Sequence, residues 1–576
     1  MPVPAKAAAP TKSPTAQDHE NLAKLAKSSA AAAFLLISQA VRQSDFSLAR
    51  QILIEGLATF PNDTQLQKQA LLVFLAAGDF ARTVTAAKDD AMDEASAILA
   101  NLVLTNHALL SGDLPTATRI LTESNRKLQG DALFPVLLAH IVASDPNAQK
   151  SPQKIYALLD GIKARPNYRL YYHYHILLLA EQLGDEAQLT SAFDNLTAAT
   201  TTKDGQEATL SLSLARVIGR VLEKQQRFDE AAKIYRQTSL SLTEPRILAA
   251  DITRVTAAQN NPSDTAPARP TLNDLVALTY QDTANLMQRE GEDNTLYKLL
   301  MFRLIEHVTP QSPENINYLA ETLAVLQQDE DAILLYQRAA SDPIWGWHVR
   351  LNRAILLDRI GNHEAATTEF EKLARERKDR SDAWQQLADL ANRDHKYAAA
   401  VTYYTQALAQ MADNAPQRWY LLYQRAAIYQ ELARYADVET DLKSALKLSP
   451  NHPHLLNFLG FMWAERGVNL DEALDLLTEA HLTLPNDAAI TDSIGWVHYM
   501  RGNYSEAVTL LERAVSIQAE DPQINDHLGD AYWRVGRKRE AIYQWQQALT
   551  LDPDAKYIAK IQAKLRDGLP KNAQND

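Results

Sequence analysis

Along most of this chain, runs of about 12–15 residues place apolar side chains at i, i+3, i+4 and i+7, the spacing of a helix with one buried stripe. Short polar turns interrupt these runs: Ser44-Asp45-Phe46, Gly78-Asp79-Phe80, Gly112-Asp113-Leu114, Gly184-Asp185-Glu186, Arg227-Phe228-Asp229, Gly361-Asn362-His363, Gly502-Asn503-Tyr504 and Gly536-Arg537-Lys538. Each turn stands between two helical runs, so the unit predicted is a helical hairpin. The unit recurs at fixed spacing. Ala332, Ala366, Ala400, Ala473, Ala507 and Ala541 are separated by 34, 34, 73, 34 and 34 residues, the wide step holding two repeats with Val438 between them. Ala49, Thr83 and Ala117 repeat the same phase near the other end. A hairpin of this size cannot cover its own apolar face, so it must stack on its neighbours.

The best-formed repeat carries Leu528, Gly529, Tyr532, Ala541, Trp545, Ala548 and Pro553. Gly529 and its equivalents Gly460 and Gly495 fall where the two helices of one hairpin touch, and a side chain there would hold the backbones apart. Ala541 and Ala548 allow the same close approach from the second helix, and Pro553 ends that helix because it lacks a donor. This pattern resembles the tetratricopeptide repeat, sharply over 313–553 and more loosely over 30–310. The resemblance implies an all-α fold, a right-handed α-solenoid of stacked hairpins with one concave wall. The expected organisation is a disordered tether at 1–18, N-terminal helical repeats at 19–258, a Pro-rich loop or hinge at 259–271, a C-terminal array at 272–553, a capping helix at 554–569 and a flexible tail at 570–576. On the capping helix, Lys556, Lys560 and Lys564 share one face, expected to be a solvated one.

Composition narrows the chemistry. The 576 residues hold 58 Lys plus Arg against 71 Asp plus Glu, a formal charge of −13, which disfavours nucleic acid as a partner. Only 18 glycines suit helices with short turns, and the absence of cysteine removes thiolate nucleophiles, disulfides and Cys-ligated zinc. The uninterrupted apolar run Ala30 to Ile37 is eight residues, a length no other run exceeds and far short of a membrane span of roughly 18. No nucleophile elbow, phosphate loop, dinucleotide fingerprint or H-E-x-x-H pattern is present, so neither catalysis nor a cofactor or metal is expected. His452 and His454 flank Pro453 and make too few ligands for zinc. The cluster Tyr168, Tyr171, Tyr172, His173, Tyr174 and His175 cannot occupy one helix face and is expected to pack between helices, as is Trp345-Gly346-Trp347.

By the same resemblance, one stripe of each first helix faces the concave wall. It carries Tyr420, Tyr423, Gln430 and Glu431, then His454, Asn457, Phe461 and Glu465, then Asp492, Trp496, Tyr499 and Met500, and last Asp526, Asp530, Trp533 and Arg534. Rigid aromatics with acidic flanks favour a basic segment of another protein. The runs Leu459-Gly460-Phe461, Glu465 to Ala473, Asp492 to Trp496 and Asp526 to Trp533 resemble bacterial cell-envelope tetratricopeptide proteins, several of them outer-membrane lipoproteins. One such group is similar to adaptors that hold a carboxyl-terminal processing protease and deliver cell-wall hydrolases to it. The resemblance implies a non-enzymatic scaffold or adaptor at the periplasm or outer-membrane periphery. A lipobox cysteine is missing, which keeps a cytoplasmic assembly factor open as the alternative, beside a structural solenoid that self-associates.

Overall fold

The computed structural model describes residues 22, 24–88, 94–128, 131–147, 150–200, 210–242, 244–260, 269–288 and 294–570. Every regular element among them is a helix, in hairpins that follow one another along the chain. The turn chemistry explains the punctuation. Gly78 takes φ +73°, a left-handed conformation that reverses the chain at little cost. Asp79 then caps the next helix, its carboxylate accepting the Arg82 N–H. The same device recurs at Asp45, which accepts from the Leu48 N–H at 2.9 Å, and at Asp113, which accepts from Thr116 at 3.1 Å. The in-phase residues Ala49, Thr83, Ala117, Ala332, Ala366, Ala400, Val438, Ala473, Ala507 and Ala541 are all 0% exposed, so the period read from the sequence is the period of helix contact.

The chain divides into two compact units, one within Lys12–Ala366 and one within Thr367–Asp576. In the first, the chain doubles back. Helix Leu272–Gln288 packs on Leu133–Val142, and helix Thr295–Val308 packs on Thr64–Ala76 and Glu94–Leu110. Buried polar contacts fix the return: the Asn106 side-chain amide donates to the Leu304 carbonyl at 3.0 Å, and the Tyr280 hydroxyl donates to Asn106 at 2.8 Å. Arg303 donates to the Ala76 carbonyl at 3.0 Å and to Glu306 at 2.7 Å. This corrects the expected division at 259–271, because the helices after that segment complete the core of those before it. Residues 261–268 within it lie outside the described residues, as do the tether at 1–18 and residues 571–576 of the tail. In the same unit Tyr171, Tyr174 and His175 are buried while Tyr168, Tyr172 and His173 are half-buried, and Trp345 and Trp347 are 8% and 5% exposed, so the buried members of both aromatic clusters pack between helices.

The second unit stacks the hairpins Asp382–Arg393/Tyr397–Ala409, Arg418–Glu431/Tyr435–Leu448, Pro453–Glu465/Leu470–Thr483, Ala488–Met500/Tyr504–Ile517 and Pro522–Arg534/Lys538–Thr550. A last helix, Ala555–Asp567, follows. A Cβ on Gly460 or Gly495 would stand 2.8 Å from Leu477 or Leu511, and one on Gly529 would stand 2.5 Å from the Trp545 ring. These are the close approaches expected of those glycines. No helix among the described residues is long and apolar enough to cross a membrane.

Candidate protein-binding groove

Pro522 and Pro453 start their helices at a position where the missing N–H costs nothing, and Asp521 and Asp487 cap the following N–H groups. These starts fix which side chains the first helices present. Three aromatic rings form a stack: Trp496 lies on Tyr499 with centroids 4.6 Å apart and planes within 7°, and on His527 at 4.0 Å and 16°. Phe461 adjoins His527 at 6.0 Å. His527 donates from Nδ1 to both Asp492 oxygens, at 2.9 and 3.0 Å. Arg534 Nε donates to the Tyr499 hydroxyl at 3.2 Å, while Trp533 lies 5.4 Å from the buried Trp545. The Trp496 indole nitrogen is buried and has no hydrogen-bond partner.

The acidic flank is not open. Lys564 of the last helix donates to both oxygens of Asp526 and to Asp530, all at 2.8 Å. Asp530 also accepts from the Trp545 indole N–H at 2.9 Å. Burial pushes the Asp530 carboxyl up to about 6 against the pull of Lys564, and neighbouring Asp526 adds to the rise. At neutral pH two carboxylates therefore share one half-enclosed space, and the arrangement requires a cation between them. Lys556 reaches Glu431 at 3.3 Å, and Arg534 donates to the Pro570 carbonyl at 2.7 Å. So on the lysine face of the last helix, Lys556 and Lys560 are exposed as expected, and Lys564 instead turns in toward Asp526 and Asp530. Lys564 retains only 18% side-chain exposure and Lys556 retains 53%.

Of the residues the sequence singled out, Phe461, Asp492, Trp496, Tyr499, Asp526, Asp530, Trp533 and Arg534 are linked through these contacts with His527, Trp545 and Lys564. Tyr420, Tyr423, His454 and Asn457 lie outside this linked set. Tyr420 is 41% exposed and accepts from Gln424 at 3.0 Å, and Tyr423 meets the core ring of Phe458 edge-on at 5.5 Å. His454 is exposed beside His452, and Asn457 keeps a buried oxygen without a partner. Sequence reasoning passes over His527 and reads Lys564 as solvated. The readable signal was the four-residue spacing of Lys556, Lys560 and Lys564, which matches a row of carboxylates as readily as it matches water.

Burial alone would lower the His527 pKa, but Asp492 against its Nδ1, with Asp526 and Asp530 nearby, raises it above the ordinary value. A histidine raised on folding contributes stability that is complete below about pH 6.5 and is lost as pH climbs through the raised value. His527→Gln should remove that fall. Amide hydrogen exchange in 488–534 at pH 6 and at pH 9 checks it: the protection lost by the natural chain between these values should be smaller in the variant.

The stacked hairpins define a helical-repeat protein. Residues 493–556 match the sequence model of the tetratricopeptide repeat family, and that stretch carries tetratricopeptide repeats. Over 97 residues it is 34% identical to a TPR repeat-containing protein of Pseudomonas aeruginosa, a match covering 17% of this chain and 16% of that protein. The chain thus spans about a sixth of the length of that curated relative. Among solved structures it is similar to a tetratricopeptide repeat protein from Parabacteroides merdae, at 16% identity and TM-score 0.36, over 44% of this chain and 98% of that one. It is also similar to YrrB, a TPR protein with an unusual peptide-binding site, at 18% identity and TM-score 0.26, over 34% and 97% of the two chains.

Proposed function

We propose that this protein is a scaffold whose C-terminal unit captures a segment of another protein along the first helices from Arg418–Glu431 to Pro522–Arg534. The observation that carries this reading is the continuous stack of Trp496, Tyr499 and His527 beside the carboxylates of Asp526 and Asp530. Rigid aromatics lose little side-chain entropy on binding, and each centrally placed one is worth about 2 kcal/mol or more. The carboxylates select for a basic segment and steer its approach. The resemblance to cell-envelope adaptors supports a finer reading: a periplasmic or outer-membrane-associated protein that presents clients to a carboxyl-terminal processing protease.

The test is a crosslinked pull-down from envelope and cytosolic fractions, comparing the natural chain with Trp496→Ala/Tyr499→Ala/Trp533→Ala. Partners should be lost from the variant while far-UV circular dichroism is retained. Unchanged recovery would exclude this groove. Recovery of an envelope protease or wall hydrolase by the natural chain alone would support the finer reading, and cytosolic partners alone would remove it.

A further inference from the structure

The last helix is held in a different way from those before it. Pro522–Arg534 buries eight residues and Lys538–Thr550 buries Ala541, Trp545 and Ala548, whereas Ala555–Asp567 buries only Ile561. Beyond Ile561 it is held by half-buried apolar side chains and by charged attachments that lie far apart. Lys556 pairs with Glu431 at the end of Arg418–Glu431, and Lys564 pairs with Asp526 and Asp530 on Pro522–Arg534. Burial raises the pKa of the Glu465 carboxyl against the charge of His527 and the weaker pulls of Lys556 and Lys560. Lysines at four-residue spacing share one helix face. Tyr557, Ile561 and Leu565 form the adjoining stripe and cluster with Tyr499, Trp533 and Leu569. Gly568, at φ +70°, ends the helix against the Trp533 ring, where a Cβ would stand 2.1 Å away.

A helix with one fully buried side chain, fastened by ion pairs to the residues that would bind a partner, has the anatomy of a competitor rather than of a permanent wall. We propose that Ala555–Asp567 is a tethered stand-in for the partner. The groove takes a basic amphipathic helix, with lysines every four residues beside an aromatic and aliphatic stripe, and the chain's own helix occupies it until such a helix displaces it. This rests on the groove being the partner site, and it names the partner's chemistry and the control on its access. A helix on a short connector competes at an effective concentration in the ~mM range, so the groove's apparent affinity is reduced by the fraction of time it stands open.

The test uses the full chain and a fluorescein-labelled peptide of residues 554–570. Fluorescence anisotropy should show at least tenfold tighter binding to a chain carrying Lys564→Ala and Gly568→Val than to the natural chain. Adding Asp526→Asn to that chain, or replacing the three peptide lysines by alanine, should cost at least tenfold. Raising salt from about 0.05 to 0.5 M should weaken binding through screening. Equal affinity for natural and opened chains, or indifference to the peptide lysines, would overturn the proposal. So would a dimer that grows with concentration at the expense of peptide binding, which would assign the groove to a second copy.

Hydrogen exchange on the natural chain decides the matter even if the variant misfolds. Residues 555–567 should exchange faster than 538–550. If the two segments open only together, the last helix is a fixed cap and the proposal is wrong. Peptide exchange combined with a failed partner pull-down would sink the scaffold reading alone, and a successful pull-down with a locked last helix would sink this inference alone.

Discussion

Gly529→Ala is expected to destabilise the C-terminal unit by about 2–3 kcal/mol, although helix propensity by itself predicts a gain of about 1 kcal/mol. Packing outweighs propensity because the new Cβ would stand 2.5 Å from Cδ1 and Nε1 of Trp545, a ring that is 0% exposed. The ring can retreat only by breaking its 2.9 Å hydrogen bond to Asp530, which leaves a buried carboxylate short of a donor. Trp545→Ala alone should cost about 3–5 kcal/mol. In that background the obstacle is gone, and Gly529→Ala should become neutral or mildly stabilising. Denaturant melts of the four proteins in a double-mutant cycle test this. Additive losses would mean that the glycine is there for some reason other than contact with Trp545.

That contact was legible in the sequence because it is local and periodic. Gly529 and Trp545 are 16 residues apart within one hairpin, and Gly460 and Gly495 repeat the arrangement against Leu477 and Leu511. The return of Leu272–Gln288 and Thr295–Val308 onto the early helices was not legible. It depends on pairs such as Asn106 with Leu304, 198 residues apart, and no periodicity encodes which distant surfaces meet. The Pro-rich stretch between them read as a boundary because composition reports the loop and not where the chain goes afterwards. In the candidate groove, helix geometry groups the stripe of aromatics, and only the resemblance to tetratricopeptide proteins assigns it to the concave wall. His527 lies one residue off that stripe, so it was passed over, although its ring stacks on Trp496. On Ala555–Asp567 only Lys564 departs from the solvated reading, because a row of lysines looks the same whether it faces water or carboxylates, and only the fold brings Asp526 and Asp530 beside its last member.

The second large effect is expected in the N-terminal unit, where three helices bring titratable groups together without pairing them well. His140 Nε2 lies 3.2 Å from His175 Nδ1, and His175 Nε2 lies 3.8 Å from Asp282, neither of these last two atoms having a hydrogen-bond partner. Burial drives all three groups toward their neutral forms: His140 falls to about 4, His175 falls well below the ordinary range, and Asp282 rises to about 8. The two kinds of shift have opposite consequences. Below about pH 6.5 the unfolded histidines bind protons that the folded ones refuse, so their contribution to stability grows as pH rises to that point. Asp282 holds a proton in the folded unit that it loses when unfolded above about pH 4, so its contribution shrinks as pH rises toward 8 and is gone beyond it. Between pH 6.5 and 8.5 only Asp282 of the three changes, and the natural unit should lose about 2 kcal/mol over that span. Asp282→Asn keeps the shape and cannot ionise, so its stability should stay level there and exceed that of the natural chain at pH 8.5. Hydrogen exchange in residues 133–142 and 169–183, read at both pH values, separates this unit from the other. Equal slopes for the two proteins would mean that Asp282 is already ionised in the folded unit, and that water or a cation has found the oxygen that faces His175.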